Sequence, residues 1–453
     1  MRRLIASLLL CCFTPLCLAA PLRVTGPSGQ SLESLVGSDT LITVVLKAKG
    51  AEDPNLKLHS LGDTYFVVIT DANKRVTYPY DMVDSIRVQE GAVEKPEFKL
   101  DPSRGLTAND QEVVDRAIQR LEGLFTGSDT SQERKVKAAT LLALNGNAGA
   151  EAYLDSLVNS NDLPTQFDGA IAYYMLNKEF SRKLLREGLE SGNRQIRATA
   201  ALLAGLGGAS EFTPELMSML NDRSAEHVAP AAIALAHLNS REAIPQLISL
   251  LSSLNEEKNE ASVRALTILG GDDLVEQLEA RAKNTSGQEL FRIAQVLIAL
   301  GNETGLKMMK HVFNDQPTIT PQAALFLAPA GDYDAEQYLR DQIKRRITED
   351  EPNLVYRAQN AGALIAAGDS SAQAVFQQLL RLSTVDKGRE NLAYQNVKSA
   401  VFEEFIKLQE RGLLTILYPS LEDSDPWVTL DACNAAIALV KPEYRERYLK
   451  FPH

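Results

Sequence analysis

The chain has 453 residues, too many for one compact core, so it holds two or three domains or one repeat array. Hydrophobic residues make up 45% and charged residues 23%, which excludes a disordered chain. A formal net charge of -12 excludes broad attraction to nucleic acid or an anionic membrane, and five histidines with four cysteines leave little material for a metal site.

Residues 1–19 read as a cleaved signal peptide. MRR is a cationic start, LIASLLLCCFTPLCL is apolar, and small residues follow at Ala19 and Ala20. Cleavage after Ala19 avoids placing Pro21 directly behind the cut. The apolar stretch is short and carries Pro15, so it predicts no integral membrane span. A lipoprotein anchored through Cys17 is disfavoured, because Thr14-Pro15-Leu16 lacks the small residue expected before a lipidated cysteine. Processing leaves 45 Lys+Arg against 59 Asp+Glu, a net charge of -14, in a periplasmic or secreted protein. Cys433 is then the single cysteine, which excludes an internal disulfide. The helical apolar spacing of Asp431-Ala432-Cys433-Asn434-Ala435-Ala436 predicts a buried structural thiol.

Residues 21–90 have the period of strands. Leu41–Leu46, Thr64–Ile69, Arg75–Tyr78 and Ser85–Val88 are β-branched or aromatic runs separated by turn formers, and Leu32–Gly37 has room for one helical turn. The order of short helix, bent strands and a short link, Pro79-Tyr80-Asp81-Met82, resembles a small SH3-like or Sm-like β-barrel. RNA binding does not carry over from that resemblance, because the chain is acidic and shows no basic patch interleaved with aromatics. Residues 91–109 read as a linker, with Pro96, Pro102 and Gly105 as breakers.

Residues 110–453 read as a helical array. An apolar helix repeatedly ends in Leu or Ala followed by Asn or Gly, at Asn145, Asn177, Gly207, Asn239, Gly270, Gly301, Gly331 and Gly368. The intervals are 32, 30, 32, 31, 31, 30 and 37 residues, and Asn and Gly are the residues that end helices in the left-handed conformation. A partner helix follows each stop, with apolar residues about eight and twelve positions on, as at Leu185 and Leu189 or Met309 and Phe313. Such a pair cannot bury its stripe alone and must stack on its neighbours. The phase is lost around Lys387–Gly412 and returns in the last pair.

Arg194-Gln195-Ile196-Arg197-Ala198-Thr199-Ala200-Ala201 resembles the Val-Arg-x-x-Ala-Ala helix of HEAT-like repeats, and Asp425-Pro426-Trp427-Val428 resembles their acidic turn. The unit length resembles the short bacterial, bilin-lyase-type variety. The resemblance implies a mainly α fold, an α-solenoid of about nine or ten helix pairs behind the small β domain. It also implies that the helix ending at each stop lines a concave binding face. That face then carries Tyr173, Tyr174, Arg197, Arg264, Arg292, Tyr356 and Arg357, with His227, Gln295, Gln359 and Asn360 beside them. Tyrosine and arginine are the usual anchors of protein interfaces, while the alternative for each arginine is a pair with the acidic turn of the next repeat.

No catalytic constellation appears. His-Glu-x-x-His, Gly-x-Ser-x-Gly, a phosphate loop and a calcium loop are all absent from the sequence, and Gly207-Gly208 and Gly270-Gly271 are helix stops with no strand before them. No cofactor is implied. The reading is an exported, non-enzymatic scaffold that binds a protein or peptide partner through the concave face. The alternatives are an envelope-polymer-binding module and a lyase-type enzyme on the same scaffold.

Overall fold

The computed structural model describes residues 23–25, 41–46, 52–61, 65–70, 75–79, 83–89, 97–101, 108–128, 130–344, 354–383, 385–386, 389–390 and 392–450. The signal peptide and the helical turn at 32–37 lie outside these residues. Two compact units divide the chain. One gathers Leu121–Thr320 with the end of the chain from Glu446, and the other gathers Leu16–Arg120 with Pro321–Arg445.

The second unit holds a seven-stranded antiparallel sheet: β1 (Arg23–Thr25), β2 (Leu41–Leu46), β3 (Glu52–Leu61), β4 (Tyr65–Ile69), β5 (Arg75–Pro79), β6 (Val83–Gln89) and β7 (Glu97–Asp101). The order is β1-β7-β6-β2-β3-β4-β5. Alternate residues Ile42 and Val44, Leu56 and Leu58, Phe66 and Val68 point to one buried face, where the Phe66 and Tyr78 rings stack at 5.6 Å. The expected small SH3-like or Sm-like barrel is not shown: β1 and β5 stand at the two ends of the sheet, and no pairing joins them among the described residues. The expected linker is also corrected, since β7 lies inside it and pairs with both β1 and β6. β3 escaped the sequence pattern because Pro54 interrupts it. That proline falls where the register with β2 shifts, between Asp53↔Val44 and Leu56↔Ile42, so its missing N–H costs no ladder bond.

The helices are α1 (Ala108–Thr126), α2 (Gln132–Leu144), α3 (Ala148–Val158), α4 (Leu163–Met175), α5 (Arg182–Leu189), α6 (Arg194–Leu206) and α7 (Thr213–Leu220). They continue as α8 (Ala225–His237), α9 (Ile244–Leu250), α10 (Glu256–Leu269), α11 (Asp272–Ala282), α12 (Gly287–Ala299), α13 (Glu303–Asp315) and α14 (Thr320–Leu327). The set ends with α15 (Tyr333–Lys344), α16 (Leu354–Ala366), α17 (Gln373–Leu380), α18 (Leu392–Leu408), α19 (Leu413–Leu417), α20 (Pro426–Val440) and α21 (Pro442–Lys450). A two-residue-stranded hairpin, β8 (Val385–Asp386) and β9 (Arg389–Glu390), sits where the sequence phase is lost.

The stops are more regular than the sequence pattern. Left-handed residues fall at Gly146, Asn177, Gly208, Asn239, Gly270 and Gly301, each 31 after the last, then at Gly331 and Gly368. At Asn145 and Gly207 the sequence reading was one residue early, because those residues keep negative φ and pass the turn to the following glycine. Except at Gly270, each stop closes with two bonds. The left-handed residue donates to the carbonyl three before it, and the next residue donates to the carbonyl five before it at 2.8–3.1 Å, as in Lys178 N to Tyr173 O. At Asn147 and Asn302 that next residue also caps the following helix, so the chain reverses with nothing to spare. The 37-residue interval places its surplus between Lys344 and Leu354.

In the first unit the stop-ending helices α2, α4, α6, α8, α10 and α12 touch in succession, and from α4 onward each packs on the partner helix before it. The residue eight beyond a stop is the partner helix's anchor: Leu185, Leu247 and Met309 are wholly buried there, as are Leu339 and Phe376 in the second unit. Arginines hold the register. Arg182 donates to Gly207 O and faces Glu211, Arg241 donates to Leu269 O and Gly270 O and pairs with Asp273, and in the second unit Arg340 pairs with Asp369 at 2.8 Å. Within that second unit α1 lies against the last pair: Arg116 pairs with Glu422, Arg120 donates to Leu421 O, and the Cys433 thiol donates to Ala117 O. Cys433 is fully buried, and burial pushes its thiol up to about 12.

A close approach between stop-ending helices is at Gly205 of α6, where an added Cβ falls 2.2 Å from Ala234 Cα of α8. That neighbour is backbone and cannot turn aside. Gly205→Ala is therefore expected to cost about 1–3 kcal/mol despite alanine's better helix propensity, while Gly192→Ala, with open space around it, stays neutral. Thermal unfolding of the two variants checks this.

Candidate functional site

The residues expected on the binding face fall into three kinds of place. Tyr173 turns back onto its own pair: its hydroxyl donates to Asp155 Oδ1 at 2.7 Å and Lys178 lies over its ring. Arg292 donates to Leu251 O, and Arg357 is buried and donates to Ile343 O, so both cap carbonyls at the ends of partner helices. For Arg292 no ion pair with an acidic turn occurs among the described residues. Gln295, Asn360 and His227 are buried as well, His227 with Nδ1 2.8 Å from Asp222, so these three do not reach a partner. Tyr356 is exposed on α16, and Arg197 is half-buried on α6 with its Nε shielded and without a hydrogen-bond partner.

Tyr174 and Arg264 come together. Both stand on stop-ending helices of the first unit, α4 and α10, and both meet the end of the chain. Arg264 Nη2 donates to Leu449 O at 2.7 Å and Lys450 O at 2.6 Å. Tyr174 donates to Arg447 O at 3.5 Å, and Arg447 Nε donates to Met175 O at 2.8 Å. His237, in the last turn of α8, belongs to the same place: burial, then Arg264 and Lys450, hold its pKa down to about 4. Its Nε2 is buried and has no hydrogen-bond partner. His237 was not among the expected site residues. Its only signal in the sequence is a polar side chain just before a stop.

Beside this seat lies a charged stripe. Glu260 precedes Arg264 by one helical turn, so the two share a face of α10. Burial, reinforced by Glu256, raises the Glu260 carboxyl from 4.5 to about 8 even though Arg292 opposes the shift. Burial likewise lowers Arg292. Both partners of this attraction move toward their neutral forms, so desolvation outweighs it, and no direct ion pair joins them among the described residues. Asp168 on α4 shows the same behaviour, raised to about 6 chiefly by burial.

Residues 213–301 match the family described as HEAT repeats. They include α7 to α12, hence Glu260, Arg264 and Arg292. No curated protein matches the chain. Among solved structures, human deoxyhypusine hydroxylase in complex with glycerol is 17% identical and covers 57% of this chain and 96% of its own, at a TM-score of 0.26. That superposition is too loose to bear on the arrangement or chemistry here. The chain is mainly α, its periodic stops and stacked helix pairs are of the α-solenoid type, and within it residues 213–301 match HEAT repeats. No helix is long and apolar enough to cross a membrane, and no cluster of metal-ligating side chains occurs, among the described residues.

Two outcomes follow for the charged groups. A carboxyl raised in the fold keeps its proton after the unfolded chain has released one, so its contribution is greatest below pH 4.5 and falls as pH climbs to about 8. Glu260→Gln is thus expected to raise the melting temperature at pH 8 and leave it unchanged at pH 4, measured by calorimetry at both. Arg357→Ala removes a buried charge-assisted cap and is expected to cost about 1.5–3 kcal/mol, read from the same instrument.

Proposed function

We propose that the protein is an exported, non-enzymatic HEAT-repeat scaffold that binds a protein or peptide partner along the face of its stop-ending helices, the concave face of such a solenoid. The observation that carries this reading is the seat at Tyr174, His237 and Arg264, where that face already receives a segment of polypeptide through its main-chain carbonyls. A groove that binds carbonyls and presents desolvated charges suits a peptide-like partner. The interaction gains most from groups that are buried and poorly compensated before binding. Export rests on residues 1–19, with the cationic start, apolar stretch and Ala19-Ala20 site.

Crosslinking capture from the native envelope fraction tests the reading. Arg264→Ala is expected to reduce capture at least tenfold with helical content intact, whereas Arg182→Ala, a register contact elsewhere, leaves capture in place. Equal capture by all three proteins defeats the assignment of the face. Intact-mass measurement of the same material is expected to show a chain beginning after Ala19, and a chain beginning at Met1 defeats export.

A further inference from the structure

The end of the last helix is held differently from the helices around it. From 446 to 450 no residue is fully buried, in contrast to Tyr444 and Arg445 just before them. Four hydrogen bonds join the segment to the first unit among the described residues. Two run from Arg264 to carbonyls that a helix C-terminus leaves without intrahelical donors, one from Tyr174 to Arg447 O, and one from Arg447 to Met175 O. Three of the four thus recognise main chain of the segment, and the fourth uses its arginine. The seat itself is imperfectly satisfied. His237 Nε2 is buried with no hydrogen-bond partner among the described residues, the cations Arg264 and Lys450 act on it, and Lys450 pairs with Glu446 of its own helix at 2.7 Å. A permanent core contact is apolar and close-packed. Three of the four bonds here are charge-assisted, made by a guanidinium to main-chain carbonyls at a helix end, the form in which arginine recognises a ligand.

Resting on the scaffold reading above, we infer that residues 446–450 are an internal ligand: Tyr174, Met175 and Arg264 form a receptor for the C-terminal end of a helix, and the protein's own last helix occupies it exchangeably. The partner this seat fits is a polypeptide helix that ends with free carbonyls and carries a basic side chain one turn earlier, where Arg447 reaches Met175 O. Its hydrophobic side chains matter little, because the seat grips backbone.

A fluorescent peptide of residues 442–453 tests this by anisotropy. It is expected to bind a chain truncated after Arg445 and to bind the intact chain at least tenfold more weakly, since the seat is taken. Arg264→Ala in the truncated chain and Arg447→Ala in the peptide each weaken binding tenfold or more, while Leu449→Ala in the peptide changes it less than twofold. A peptide that fails to bind a folded truncated chain, or that binds regardless of Arg264, overturns the inference. Hydrogen exchange of the intact chain gives an independent reading that needs no truncation. The amides of 447–450 are expected to exchange at least tenfold faster than those of α10, and equal protection overturns the inference, as it marks a fixed structural element. If the peptide fails while envelope capture still depends on Arg264, the internal ligand falls and the scaffold reading stands. If the peptide binds and capture does not depend on Arg264, the reverse holds.

Discussion

One local constraint organises the helical array: a residue that must adopt the left-handed conformation every 31 positions. Gly146, Asn177, Gly208, Asn239, Gly270 and Gly301 keep that interval without error. Each stop reverses the chain within a few residues and, at all of them but Gly270, paired bonds satisfy carbonyls that a helix end would otherwise leave bare. Because the reversal is the same each time, the helix before it meets the corresponding helix of the next repeat in the same register. The wholly buried anchor eight residues on and the close contact of Gly205 with Ala234 both depend on that register. A repeat of different length would put a side chain where Gly205 admits only a hydrogen.

Arginine is the second recurring element, and its work is mostly at helix ends. Arg182 and Arg241 donate to carbonyls at the next stop. Arg292 and Arg357 donate to the last carbonyls of partner helices. Arg264 does the same for the helix that ends the chain. A planar guanidinium on a long stem can leave its own helix and reach an orphan carbonyl several ångströms away, which a lysine does with less geometric fit. The same chemistry therefore serves two ends. Turned toward a neighbouring repeat it fixes the stack, and at Arg264 it holds the end of the last helix. What separates Arg264 from the others is only which helix end stands before it.

The stop-ending helices carry this double duty at some electrostatic cost. They contact neighbours on both sides and are buried over most of their surface, so the charges they bear are partly desolvated. Glu260 and Asp168 are raised and Arg292 is lowered for that reason, each mainly by burial. A helix face that keeps charges under such conditions sacrifices stability that an apolar surface of the same shape would retain.

The sequence by itself determined the array: the Asn and Gly stops, the apolar stripes behind them and the alternation of strands such as Leu41–Leu46 are short-range patterns, and backbone sterics read them directly. It also marked Cys433 as buried, from the helical spacing of its neighbours. The sheet was legible only in part. β1 and β7 are a short strand and a segment between breakers, and pairing between residues as distant as Arg23 and Asp101 leaves no local trace. Site residues were the least legible, for a geometric reason. Tyr173 and Tyr174 are adjacent in sequence, yet a helix turns successive side chains about 100° apart, so one faces Asp155 and the other the end of the chain. Arg264, Arg292 and Arg357 look alike in sequence too. Only the tertiary structure decided their targets, because the carbonyls they meet lie 185, 41 and 14 residues away.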